Sequence, residues 1–351
     1  MPESITEAVD LPDPDDRFTE ADLALVDALQ TAPRAPWTRI GRALGVDATT
    51  AARRWERLCA RRLAWITAYE SGKATVVAFV EVRCRAGTME SVTAELTELP
   101  WVISVDETAG DFDLFVSVAA ADLPALGRAV HRDIGGLPGV RSTRTRLGIT
   151  AYGEGSDWRI RAMEPAGHAQ LSQGRASRHL TYSSELGRRP APEDLSLIRE
   201  LGTDGRLGHT ELAAATGLSE HTARRRLTRL IQAGDLTFRC DLAHPLAGLP
   251  TMMIYRTVVP HTRLEQTGLL LARMEQVRLC VSVSGPHNLL VLVWLHGLFD
   301  IGPFETTLAQ RCPELEVKDR TVALRSLKRM GWLLDLHGRA VRRVPLGPPQ
   351  K

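Results

Sequence analysis

The sequence predicts an α+β chain in which one unit, a winged-type helix-turn-helix module followed by a ferredoxin-like βαββαβ domain, is present twice in tandem. Three observations predict it. Displaced by 172 positions, Asp22–Leu58 falls on Asp194–Leu230 without a gap, and fifteen of the 37 positions are identical, where average residue usage gives roughly two or three by chance. Each repeated stretch carries apolar residues at helical spacing around one glycine, Gly45 or Gly217. Each is followed by short runs that alternate apolar and polar residues, the mark of half-buried strands. At a displacement of 175 these strand-rich parts also align, Leu96 with Leu271, Gly110 with Gly285, Leu114 with Leu289 and Pro138 with Pro313.

The 351 residues suit several domains of modest size, and 25% charged with 44% hydrophobic residues is an ordinary globular balance. A formal net charge of only +2 means that nucleic-acid binding has to come from local clusters of arginine. Cys59, Cys84, Cys240, Cys280 and Cys312 are scattered and show no C-x-x-C spacing. That pattern supports neither a zinc site nor a disulfide framework and suits reduced thiols in the cytosol. The acidic N-terminus has no apolar core of a signal peptide, and no apolar run is long enough to span a membrane. A cytoplasmic, nucleoid-associated protein with no membrane partner, no metal and no cofactor is expected.

The organisation follows from these signals. A disordered tail over 1–18 precedes a helix-turn-helix domain over 19–68 and a βαββαβ domain over 74–152. A linker over 153–189 leads to the second helix-turn-helix domain, 190–241, the second βαββαβ domain, 250–336, and a partly ordered basic tail, 337–351. Trp158–Met163 is expected to add an edge strand to the first βαββαβ domain.

In the second copy Asp194 opens a helix with Leu195, Ile198 and Leu201 on one stripe, and Thr210 caps a second helix, as Thr38 does in the first copy. Gly217 and Gly45 suit a left-handed turn, because glycine has no Cβ to clash there. Ser219 and Asp47 cap the third helix. At 100° per residue Ala223, Leu227 and Leu230 of that helix face the core. His221 and Arg225 point away, flanked by Thr222 and Arg229, and the first copy places Thr49, Arg53, Thr50 and Arg57 there. Arginine suits guanine edges and phosphates, so these eight residues are the candidate DNA readers. Arg54 and Arg226 lie at the rim of the buried face and are expected to hold phosphates or brace the module.

In the first strand-rich part, Val76, Ala78, Val80 and Val82 share one face of a strand and Met89, Val92 and Leu96 one face of a helix. Two strands around Gly110, a helix capped by Asp122 and a closing strand from Val140 complete βαββαβ. Such a domain leaves one sheet face bare, which a second copy can cover. The two domains are therefore expected to pair within the chain as a pseudo-dimer, with further homo-oligomerisation of chains.

In motif and order the sequence resembles the Lrp/AsnC, or feast/famine, family of transcription regulators. The resemblance rests on Asp204-Gly205-Arg206, Glu211-Leu212-Ala213, Gly217-Leu218-Ser219, Thr222, Arg225-Arg226 and Arg229-Leu230. The first copy keeps Arg34, Gly45, Thr50, Arg53-Arg54 and Arg57-Leu58, but has Asp47, Pro33 and Trp55 where the family pattern has Ser, Gly and a small aliphatic. The resemblance implies double-stranded DNA as partner and effector-sensing, RAM-type βαββαβ domains that take a small molecule such as an amino acid. It also implies an effector site near a Gly-x-x-Asp loop, here Gly110, Asp111 and Asp113, with Gly285, His287 and Asn288 in the second copy. An ordinary hairpin turn stabilised by Asp113 explains the loop equally well, and neutral Asn288 puts amino-group binding in the second copy in doubt. Two rival readings remain. One is an enzyme resembling the siroheme decarboxylases of the same fold, which the chain's four tyrosines and lack of a His-Asn-Tyr run disfavour. The other is a partner-binding protein with silent helix-turn-helix modules.

Overall fold

Three helices open the chain, α1 (Glu20–Thr31), α2 (Trp37–Leu44) and α3 (Ala48–Ala60). The computed structural model describes residues 16–71, 75–172, 180–181 and 190–349. Helix α1 starts where it does because Thr19 and Asp22 form a reciprocal cap. The Thr19 hydroxyl accepts from Asp22 N at 3.2 Å, and the Asp22 carboxylate accepts from Thr19 N at 3.0 Å. After α3 come β1 (Ala64–Glu70), β2 (Val76–Cys84), α4 (Met89–Glu98), β3 (Val102–Ala109), β4 (Leu114–Ala120), α5 (Leu123–Ala129) and β5 (Val140–Gly153). Helix α6 (Pro165–Leu171) and the short β6 (Leu180–Thr181) lead to α7 (Pro192–Thr203), α8 (His209–Thr216), α9 (Glu220–Ala233) and β7 (Leu236–Leu242). The second βαββαβ part is β8 (Thr251–Val258), α10 (Leu264–Ala272), β9 (Val277–Val283), β10 (Leu289–Leu295), α11 (Ile301–Arg311) and β11 (Glu316–Arg329), followed by β12 (Trp332–Leu334) and β13 (Ala340–Arg343).

Each βαββαβ half has the ferredoxin-like strand order, β5-β2-β4-β3 in the first and β11-β8-β10-β9 in the second. Strand β5 pairs with β9 and β11 pairs with β3, all antiparallel, so eight strands close into one barrel. The seams are equivalent: Gly148 lies opposite Val283, and Ala323 opposite Thr108, the same two positions 175 residues apart. Strand alternation then sorts the side chains. Val76, Ala78, Val80 and Val82 face outward with Val92, Leu96 and Leu126. Val77, Phe79, Phe115, Met252, Ile254, Val281, Leu290 and Trp294 belong to the core on the other face, which closure covers.

Strand β1 follows α3 and β7 follows α9, and the two pair with each other. Thr67 opposes Arg239, its own equivalent at a displacement of 172, so a pseudo-twofold axis passes between them. The wing of each module is thus one strand of a sheet shared by both. The first module joins the barrel in one continuous core, from Leu25, Leu29 and Leu58 to Leu290 and Trp294. The second has a core of its own around Leu197, Leu201, Leu212, Leu227 and Leu230.

Several local expectations need correction. The second helices are preceded by Pro36 and Gly208, with Thr38 and Thr210 already inside them; in the second copy the Glu211 carboxylate accepts from Gly208 N at 2.9 Å and fixes the start earlier, while the first copy has no side-chain cap there. Asp194 is the third residue of α7, which begins at Pro192, a residue suited to a first turn. Trp158–Met163 forms no strand. It straps the first module to the barrel: Trp158 Nε1 donates to Glu275 O (2.9 Å), Ile160 N to Gln30 Oε1 (2.8 Å) and Met163 N to the Asp27 carboxylate (2.8 Å). Arg159 pairs with the fully buried Asp27, and α6 packs on α2, so part of the expected linker is structured. The basic tail is structured too: β13 pairs with β12, and Arg342 and Arg343 reach Glu98 and the Arg199 carbonyl. Of the expected N-terminal tail, 1–15 lie outside the described residues, while Asp16 pairs with Arg339 and Phe18 packs against the core.

Candidate nucleic-acid interface and effector loops

The turn between the second and third helices depends on its glycine in both copies. Gly45 and Gly217 have φ of +67° and +70°, and open space surrounds the place where a Cβ would stand. Backbone strain, not crowding, therefore excludes other residues there. Asp47 then caps α3, accepting from Thr50 N at 2.8 Å, and Ser219 caps α9, accepting from Thr222 N at 3.3 Å.

The ten candidate residues divide into two groups. Thr50 and Thr222 are half-buried and serve the caps: the Thr50 hydroxyl donates to the Asp47 carboxylate, and Thr222 accepts from Ser219 Oγ at 2.9 Å. Arg57 and Arg229 keep exposed shafts, but their guanidinium groups pair with Asp22 and Asp194, buried carboxylates in the first turns of α1 and α7. Arg226 donates to the Glu193 carbonyl at 3.0 Å and lies 3.6 Å from Asp194, so it braces the module. Arg54 is half-buried. Thr49 and Arg53 on α3, and His221 and Arg225 on α9, remain exposed. Arg53 and Arg225 form no ion pair among the described residues. Arg224, which the sequence reading did not include and which has Ala52 at its place in the first copy, is exposed as well. Its flanking position on the helix wheel was the available signal.

The effector loops lie at one end of the barrel. Gly110 and Gly285 have φ of +145° and +105°. Asp111 is exposed. The Asp113 carboxylate accepts from Cys84 N at 2.6 Å. Asn288 makes the equivalent clip twice, accepting from Val259 N at 3.0 Å and donating to Val259 O at 2.7 Å. Asp113 and Asn288 thus both pin their loop to the end of the half's first strand. His287 is half-buried, its Nδ1 without a partner among the described residues. Burial, with Arg146 and Arg256 nearby, lowers its pKa and favours neutral imidazole.

Behind these loops sits a cluster that the sequence reading missed. Glu81, buried inside β2, faces Arg256 at 2.9 Å and Arg146 at 3.4 Å. Arg256 also lies over the Phe112 ring, 4.8 Å from its centroid, and pairs with Asp319. Glu81 and Arg256 are the same position in the two halves, 175 residues apart. That displacement, already in hand, was the signal that could have found them.

Among the described residues no three side chains are grouped as a metal site would need, and no helix is long and apolar enough to cross a membrane. The family model described as the AsnC-type helix-turn-helix domain matches residues 18–58 and again 194–231, and the Lrp/AsnC ligand binding domain matches residues 77–156. The HTH-type transcriptional regulator FL11 of Pyrococcus horikoshii is 26% identical over 146 residues, 40% of this chain and 96% of that protein. LysM of Saccharolobus solfataricus, also named an HTH-type transcriptional regulator, is 27% identical over 129 residues, 35% of this chain and 90% of that protein. Among solved structures, the siroheme decarboxylase NirDL, in complex with an iron-uroporphyrin III analogue, superposes with a TM-score of 0.58 over 89% of this chain and 93% of its own. At 14% identity that likeness is one of fold alone. With its helix-turn-helix domain present twice, the chain belongs to the Lrp/AsnC family in a tandem-duplicated form.

Proposed function

We propose that the chain is a sequence-specific, DNA-binding transcription regulator whose affinity for double-stranded DNA is modulated by a small effector such as an amino acid. The observation that carries this reading is the pair Arg53 and Arg225. They hold the same position on two third helices, both exposed and both without an ion pair among the described residues, while their neighbours Arg57 and Arg229 are tied back to aspartates. Arginine held ready in this way near the start of a recognition helix suits a guanine edge in the major groove. The match to a ligand-binding domain of the family supports the effector half of the reading. Such a regulator works in the cytoplasm at the nucleoid, its internally paired halves doing the work of two subunits.

The test is selection of bound fragments from randomised duplex DNA, followed by affinity measurements on the selected and a scrambled site at two salt concentrations. The regulator reading expects a clear preference for the selected site and an affinity that falls with salt. Absence of binding to any duplex at low salt would remove it.

The tandem layout shared with NirDL supports a second reading, an enzyme that acts on a tetrapyrrole. Titrating the purified protein with an iron-tetrapyrrole and recording its absorbance spectrum separates the two. The regulator reading expects no saturable spectral change.

A further inference from the structure

The two seams of the barrel share one register. Thr150, Ala151 and Gly153 of β5 lie opposite Ser282, Val281 and Cys280. Arg325, Ser326 and Lys328 of β11 lie opposite Glu107, Asp106 and Val105, every residue 175 positions from its counterpart. The chemistry at these equivalent places differs. At the first seam Ala151 faces Val281, and Ser282 Oγ accepts from Thr150 N at 3.0 Å. At the second, Ser326 donates to the buried Asp106 carboxylate at 2.5 Å, and Arg325 pairs with Glu107 at 2.6 Å. Lys328 crosses the second seam to the Leu99 carbonyl at 2.8 Å. Gly153 holds its place at the first, where a Cβ would come within 2.8 Å of the Ala272 Cβ on α10.

The charges at the Gly110 and Gly285 end follow the same rule. Glu81 and Arg256 occupy one position in the two halves and touch each other at 2.9 Å, so they sit at the pseudo-twofold axis. Their partners within each half also share one position with opposite sign: Arg144 lies 3.6 Å from Glu81, and Asp319 pairs with Arg256.

Pairing a half with its own kind would undo these contacts. Two first halves would set Glu81 against Glu81, and Asp106, only 4% exposed, against Ala151, with Glu154 in the place of Arg329. Two second halves would set Arg256 against Arg256 and put the Lys328 side chain where Ala272 leaves no room for a Cβ. Like charges in a buried contact, and a buried carboxylate without a donor, are each costly.

We infer that the surface on which the halves meet is selective: a first half accepts only a second half, and neither accepts its own kind. The partner it fits carries arginine at the axis and Ser326 with Arg329 opposite Asp106. That partner is the second half of the same chain, or of a second copy that exchanges halves with it. Isologous pairing of identical halves is closed to this protein.

The test needs no DNA, so it stands whatever the outcome for the regulator reading. A protease site inserted after Ser184 lets the folded full chain be cut between its halves. The cut protein is unfolded in urea, refolded, and its pairs are counted by native mass spectrometry. Indifferent surfaces would give like pairs as half of the total, whereas the selective surface gives fewer than about one pair in twenty. Glu81→Gln combined with Asp106→Val should raise first–first pairs at least fivefold, and Lys328→Gly should do the same for second–second pairs. Such a change in pair composition is one that lost stability alone would not produce. Either variant can fail to fold, in which case the count for the parent decides. Like pairs at or above one in twenty in the parent, or no rise in either refolded variant, would overturn the assignment.

Discussion

Arg34 and Arg206 hold the same position in the two helix-turn-helix modules, and each donates to the other module's turn. Arg34 reaches the carbonyls of Gly205 (2.5 Å) and Leu207 (2.9 Å), while Arg206 reaches those of Pro33 (2.6 Å) and Ala35 (2.9 Å). The two acceptors in each module are themselves 172 residues from their counterparts, so the contact is reciprocal. Arg206 also lies over the Trp37 ring, 3.9 Å from its centroid, and burial with the nearby Arg34 lowers its pKa to about 10. One guanidinium plane serves two carbonyls at once, which a lysine ammonium on its flexible stem does poorly. Arg34→Ala should therefore cost about 3 kcal/mol on the scale of charge-assisted hydrogen bonds, and Arg34→Lys most of that. Urea unfolding checks it, and full stability in the lysine variant would contradict the fork argument.

The Glu81–Arg256 pair should be strongly coupled. Breaking a buried ion pair from one side typically costs about 3–5 kcal/mol, because a charge is left without a partner. Glu81→Gln and Arg256→Met should each destabilise on that scale, and the double variant by clearly less than their sum. A double-mutant cycle giving a coupling below about 0.5 kcal/mol would show that the two residues act independently.

On DNA, Arg225→Ala should cost roughly 1–3 kcal/mol at the selected site and relax preference in one half-site only. Arg53→Ala should do the same in the other half. The heads differ, Thr49 and Arg53 against His221, Arg224 and Arg225, so the site should be an imperfect palindrome with half-site centres about 10 bp apart or a multiple of that. Arg229→Ala should show its main effect in unfolding, since its guanidinium is engaged by Asp194. Footprinting and binding at two salt concentrations decide. Equal losses on selected and scrambled DNA for Arg225→Ala would remove its role as a base reader.

At the first effector loop, Asp113→Asn should be tolerated, because Asn288 makes the equivalent backbone clip in the second half. Asp113→Ala should leave Cys84 N short of an acceptor and cost about 1–2 kcal/mol. If an amino acid binds this loop through Asp113, its thermal stabilisation of the protein should vanish in both variants. A shift that survives in Asp113→Asn would leave the residue with a purely structural task.

Lys328 supplies a pH dependence. Its side chain is wholly buried on β11, with Nζ donating to the Leu99 carbonyl at 2.8 Å, and burial lowers its pKa to about 7. An unfolded lysine titrates near 10.4. Between those values the unfolded chain takes up a proton that the folded chain refuses. Stability therefore falls as pH drops from about 10 toward 7, with a slope of at most about 1.4 kcal/mol per pH unit, and Lys328 adds no further loss below that. Lys328→Met should flatten the profile between pH 7 and 8.5, below the range where unfolded thiols ionise. Parallel unfolding profiles for the variant and the parent would exclude the effect.

Features set by neighbours in sequence were the legible ones. The outward face of β2, the buried stripe of α9 and the left-handed turns at Gly45 and Gly217 each follow from local periodicity or from one residue's conformational freedom. What escaped depends on partners far along the chain. A helical wheel shows that Arg229 is exposed, but the carboxylate that captures it lies 35 residues away on α7. Asp27 meets its strap at Met163, 136 residues on, and no local pattern announces a buried carboxylate with such a partner. Glu81 falls on the face of β2 opposite the valines, a place that reads as solvated until the barrel closes over it. Asp113 shows the reverse limit: its type and spacing suit an ammonium ligand, while its carboxylate is engaged by Cys84 N.

Closure of the barrel by strands of a single chain changes how the assembly responds to dilution. Two separate polypeptides joined along the seams β5–β9 and β11–β3 would hold together by mass action, and their readiness to bind would rise and fall with copy number. Here the segment that connects the halves sets their effective concentration, and expression level drops out of the balance. A cell holding very few molecules of this protein would still hold them fully paired, each with both heads set at a fixed separation.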